Sequence, residues 1–119
     1  MDNQKAFDNA LFGVRAQGRL SKSSAGRCAY REASGAKCGV GHSMPDELYD
    51  LGFDDGDGVN IKSVLGMDPA IAAHFAGCDT DVLDDIQIAH DSASDLTDFE
   101  SRMQALADRH NLIYTPKQQ

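Results

Sequence analysis

The sequence predicts an α+β fold, a single small domain in which about five helices, some of them short, pack around one β-hairpin. Two observations carry that prediction. Apolar residues recur at three- and four-residue steps in several stretches, and between residues 27 and 41 two β-prone runs flank a turn. A length of 119 residues with 41% hydrophobic and 25% charged residues sets the frame: one hydrophobic core, not two.

Taken in order, residues 3–17 place Phe7, Ala10, Leu11 and Val14 on one helical face, and Gly18 marks the end of that helix. Ser21 to Gly26 reads as a surface loop. Cys28-Ala29-Tyr30 and Lys37 to Val40 then form the two arms of the hairpin, joined by Glu32-Ala33-Ser34-Gly35-Ala36. Alternation along each arm puts Cys28 and Tyr30, and Cys38 and Val40, on the core side. Gly39 and Gly41 permit a tight exit. A helix capped by Ser43 or Met44 follows, with Pro45, Asp46 and Glu47 in its first turn and a stop at Gly52.

Asn60 caps a short helical turn through Leu65. Asp68 as N-cap, Pro69 at the first helical position and Gly77 beyond the end frame the next helix, with Ile71, Ala72 and Phe75 inward. Thr80 opens a helix to His90 that turns Val82, Leu83, Ile86 and Ala89 inward. The last helix begins near Ser94, and Leu96, Phe99, Met103, Leu106 and His110 give it the period of helix-on-helix packing within the domain, with a homodimer as the alternative. Asn111 closes it. Leu112 to Tyr114 either pair as an edge strand or pack as an extended segment, and residues 113–119 are expected to fray.

Charge divides the chain. Residues 1–42 carry seven Lys or Arg against three Asp or Glu, a net of +4, whereas residues 43–100 carry fifteen acids against Lys62 alone, a net of −14. Such a field repels phosphate backbones, because nucleic-acid binding rests on cationic side chains displacing counterions. A basic partner fits better, and the acidic candidates for contacting it are Asp46, Glu47, Asp50, Asp54, Asp55, Asp57, Asp81, Asp84 and Asp85. Part of this acidity is structural, since acids in the first turn of the helix from Thr80 complement its dipole. No apolar run reaches the ~20 residues of a membrane span. Residues 1–5 lack the basic-then-apolar order of a signal peptide, and an odd number of cysteines suits a reducing compartment, so a cytosolic protein is expected.

Several constellations invite chemistry. Arg27, Arg31 and Lys37 with Tyr30 form a cationic cluster able to hold a nucleotide, the guanidiniums on phosphate and the ring beneath a base; their plainer role is to pair with the acidic helices. Cys28, Cys38 and His42, with His74 and Cys78, supply ligands for a structural zinc, but no Cys-x-x-Cys knuckle is present and buried cysteine also serves as a small hydrophobe. Asp54-Asp55-Gly56-Asp57-Gly58 lacks the ligand order of a calcium-binding EF-hand loop. In so acidic a protein a cysteine thiolate is disfavoured unless a helix N-terminus or a cation lowers its pKa, and His90-Asp91 is better suited to a cap or an inter-element hydrogen bond than to base catalysis. No catalytic group and no cofactor are therefore expected.

The pattern Cys28-x-Tyr30-Arg31, Gly35-x-Lys37-Cys38-x-x-Gly41, Pro45-Asp46-Glu47-x-Tyr49, with the later Ile86-Gln87-x-x-His90-Asp91, resembles a family of small proteins of tailed phages and prophages. The resemblance spans roughly residues 5–112, with these two islands as its specific part. It implies a phage accessory protein in the host cytosol, a class that includes anti-CRISPR-like inhibitors of host defence. The function expected is therefore binding without catalysis, with carboxylates occupying a groove built for nucleic acid. A small-ligand binder using the basic hairpin, or a zinc-stabilised adaptor, is the alternative.

Overall fold

The computed structural model describes residues 1–21, 30, 36–49 and 61–117. Among them, 63% are helical and 1% strand, with no sheet or hairpin. The fold is therefore mostly α, which corrects the α+β expectation. Its helices are α1 (Asn3–Gln17), α2 (Ile61–Met67), α3 (Pro69–His74), α4 (Thr80–Asp91) and α5 (Leu96–His110), with a 3-10 turn at Val40–Ser43.

The return arm of the expected hairpin is described, and its backbone follows another course. The side-chain amide of Gln17 occupies the pairing groups of Lys37, accepting its N–H at 2.9 Å and donating to its carbonyl at 2.8 Å. At Gly39 the chain turns helical, with φ −51° and ψ −54°, and enters the 3-10 turn. Among the described residues, Cys38 N–H meets Tyr30 O at 3.4 Å. Cys38 and Val40 are buried as alternation requires, but Gly39 and Gly41 between and after them are buried too. Residues 27–29 and 31–35 lie outside the described residues.

Elsewhere local signals set the boundaries. Asp2 caps α1 by accepting Lys5 N–H, and Gly18 closes it at φ 77°. Asp68 accepts Ala70 N–H ahead of Pro69 and starts α3. Asp95 accepts Asp98 N–H at the head of α5, one residue beyond the expected Ser94, whose own N–H is bound by Asp98. Asn111, at φ 57°, ends α5 in the left-handed conformation that asparagine tolerates. The helix expected after Met44 is a single turn held by Leu48 and Tyr49 N–H on Pro45 O; residues 50–60 lie outside the described residues.

The core gathers Phe7, Leu11 and Val14 from α1, Ile71 and Phe75 from the α3 region, Leu83 and Ile86 from α4, and Phe99, Met103 and Leu106 from α5. α1 packs on the 3-10 turn, α4 and α5, while α2 bridges α3 and α4. The extended segment after α5 lies against α1, where Gln4 exchanges hydrogen bonds with both backbone groups of Ile113 at 2.8 and 3.0 Å. No helix among the described residues is long and apolar enough to cross a membrane.

Candidate functional site

α4 is the helix around which both the polar interior and the charged exterior are arranged. Its sequence, TDVLDDIQIAHD, contains no Lys or Arg. At 3.6 residues per turn, residues 81, 84, 85, 88, 91 and 92 fall on an outward arc of roughly 120°. Val82, Leu83, Ile86, Gln87, Ala89 and His90 face the interior and are buried. The outer arc thus holds Asp81, Asp84, Asp85 and Asp91 around Ile88, a large apolar side chain left 49% exposed.

Two inward polar residues of α4 organise the chain around them. Gln87 accepts the N–H of Ile61, the first residue of α2, at 2.8 Å and donates to the hydroxyl of Tyr30 at 2.8 Å. His90, 0% exposed, accepts the N–H of Ser21 on Nε2 at 3.0 Å. That bond places the imidazole proton on Nδ1, facing Asp91 Oδ1 at 3.2 Å. The Gln-x-x-His spacing noted in the sequence is the i, i+3 spacing of a single helical face. It extends the inward stripe of Leu83 and Ile86, which was the signal available for reading both residues as buried.

The acidic candidates separate into groups. Asp46 and Glu47 are exposed in the turn after Pro45, and Asp50, Asp54, Asp55 and Asp57 lie outside the described residues. Asp81, Asp84 and Asp85 share the outer arc of α4. Neighbouring side chains reach two of them: Lys62 lies 3.6 Å from Asp81, His110 Nε2 hydrogen-bonds Asp85 at 2.7 Å, and Arg109 lies 3.9 Å from Asp85. Further along the chain, Asp98 is held below the usual carboxylate range by Ser94 N–H and by Arg102. Beside Asp81, an open depression of about 340 Å³ is lined by Asp79, Thr80, Asp81 and His110, all polar.

The cationic candidates are not gathered by the described residues into a nucleotide cradle. Tyr30 is 3% exposed, with its ring in the core and its hydroxyl against Gln87, so its face is not presented for stacking. Lys37 is half-buried with its backbone on Gln17, and Arg27 and Arg31 lie outside the described residues.

The zinc candidates are dispersed as well. Cys38 Sγ is buried and accepts Gly41 N–H at 3.3 Å, His42 reaches Gln17 at 3.0 Å, and His74 donates to Ser43 O at 2.7 Å. α3 ends at His74, so Cys78 does not follow it on a helical turn; its thiol points to Met1 O at 3.5 Å, and burial raises its pKa. Cys28 lies outside the described residues, and among those described no three His, Cys, Asp or Glu side chains converge as a metal site. The chain matches no protein-family model, no curated protein and no solved structure.

Proposed function

We propose that the protein acts by contact rather than catalysis, presenting the outer arc of α4 to a basic partner. The observation that carries this reading is the setting of Ile88: an exposed β-branched residue in a helix without cations, ringed by Asp81, Asp84, Asp85 and Asp91. An apolar anchor within a charged rim is how protein interfaces combine contact area with steering. Lys62 and Arg109 offset part of the field of Asp81 and Asp85, so Asp84 is the least screened of the three. A net charge of −8 speeds encounter with a cationic surface. The partner class is a protein whose groove receives nucleic acid, and a host-defence complex is the first case to test.

The test is affinity capture from host lysate, followed by reconstitution with the purified captured protein. Binding is expected to weaken with salt and to fall about 10-fold or more for Ile88→Ser and for Asp81→Lys with Asp84→Lys. Capture of no nucleic-acid-handling protein, or binding indifferent to salt and to these substitutions, overturns the proposal.

A further inference from the structure

We infer that the segment after α5 is an edge strand that takes up an extended, cationic peptide by backbone pairing. Its side chains alternate as those of a strand do: Leu112 and Tyr114 are half-buried against the core, whereas Ile113 and Thr115 are exposed, Ile113 by 72%. Its backbone bonds alternate in the same step. Ile113 N–H and O are both held by the Gln4 amide of α1, and Thr115 O is held by Arg15. Between them, Tyr114 N–H and O have no partner among the described residues, and neither has Leu112 O. One edge is therefore occupied by side chains of α1 and the other is open.

The open edge is held in place from behind. Arg15 is gripped by Glu100 at 2.6 and 2.7 Å, and the Tyr114 hydroxyl donates to the same carboxylate at 2.7 Å. A strand pairing here has little of the segment left to order, which lowers the cost of binding. Residues 112–115 carry none of the charges or prolines that commonly blunt an exposed edge, and Pro116, which has no N–H, ends it. An incoming strand accepts Tyr114 N–H on a carbonyl and donates its own N–H groups to Tyr114 O and Leu112 O, the pattern of β-strand addition. A second copy is a poor occupant. In an antiparallel pair centred on Tyr114, Leu112 O would face Pro116, Leu112 N–H is already bound to Ala107 O, and two chains of net charge −8 repel. The same charge favours a strand rich in Lys or Arg, and exposed Ile113 favours a β-branched residue beside it.

The probe is a short, end-capped peptide of alternating Lys and Val, titrated into the full chain and followed by two-dimensional amide NMR with hydrogen exchange. Shifts are expected at the amides of residues 112–115, and exchange of Tyr114 N–H is expected to slow about 10-fold at saturation. Added salt should weaken binding. Methylating the backbone nitrogens of the peptide, or Ile113→Lys in the chain, should each weaken it about 10-fold, and replacing the peptide's Lys by Glu should abolish it. The proposal is overturned if Tyr114 N–H is unaffected, or if the methylated or the Glu peptide binds as tightly as the parent. Shifts confined to residues 81–91 would assign the peptide to α4 and overturn it too. So would Tyr114 protection that grows with protein concentration alone, which puts a second copy on the edge.

Discussion

Arg15 of α1 and Glu100 of α5 form a two-point ion pair, Nε to Oε2 at 2.7 Å and Nη2 to Oε1 at 2.6 Å, with both side chains 14% exposed. Tyr114 adds its hydroxyl to Glu100 Oε1 at 2.7 Å, and Arg15 Nη2 also reaches Thr115 O at 2.7 Å. The guanidinium lies 5.6 Å from the Phe12 ring and 5.7 Å from the Tyr114 ring. One side chain thereby fastens α1, α5 and the segment that follows α5. Burial opposes ionisation of Glu100, yet Arg15 and Tyr114 outweigh it and hold the carboxyl below its usual range.

Removing one partner of this pair is expected to cost more than removing both. Arg15→Met leaves a partly buried carboxylate and should lower stability by about 1.5–3 kcal/mol in urea melts, while Arg15→Met with Glu100→Gln should recover part of the loss. The Glu100 contribution is present above its unfolded-state pKa and disappears as pH falls through the lower folded value. A double mutant equal to the sum of the single ones would show that the pair is uncoupled.

Gln87→Leu removes the acceptor of Ile61 N–H and the donor to the Tyr30 hydroxyl at buried positions. The expected loss is about 2–4 kcal/mol by equilibrium unfolding. Tyr30→Phe, which removes only the hydroxyl, should cost about 1 kcal/mol. Equal effects of the two substitutions would contradict the role assigned to the Ile61 bond.

Stability should fall on acidification through His42. Its folded pKa, about 4, lies below the unfolded value of 6.5, so the neutral form is the one the fold favours. Its contribution is complete above pH 6.5 and is lost progressively down to pH 4. Because the ring is only half-buried, solvent screening limits the loss to about 1–2 kcal/mol. Urea midpoints measured across that range should drop for the parent chain and drop less for His42→Gln.

Gly41 and Gly13 lack side chains because other groups fill the space. A Cβ at Gly41 would run into the carbonyl of Tyr30, a backbone group with no freedom to retreat, and Gly41→Ala should cost about 3 kcal/mol or more. A Cβ at Gly13 would meet the His42 ring, which is able to swing away with loss of its Gln17 bond, at about 1–2 kcal/mol. Gly13→Ala in a His42→Ala background should therefore be nearly neutral in thermal melts, whereas Gly41→Ala should not be rescued.

The helices were legible because their signals are local. Asp68 with Pro69, the apolar stripes of α1, α4 and α5, and Asn111 as a terminator act within a few residues of where they stand. The absence of a hairpin among the described residues was illegible for the opposite reason. Residues 37–40 have strand composition, but a side chain from 20 residues earlier, Gln17, takes the backbone groups of Lys37, and no periodicity in the segment itself encodes that.

The candidate site divides along the same line. Charge sign and helix periodicity, both properties of the chain alone, determined that α4 would be acidic outside and apolar inside. Only the packed structure decided which carboxylates meet His110, Arg109 or Lys62, and that Ile88 stays exposed while Tyr30 and His90 are enclosed. Those outcomes depend on which surfaces meet across tens of residues, and a helix's own sequence specifies a face without specifying what covers it.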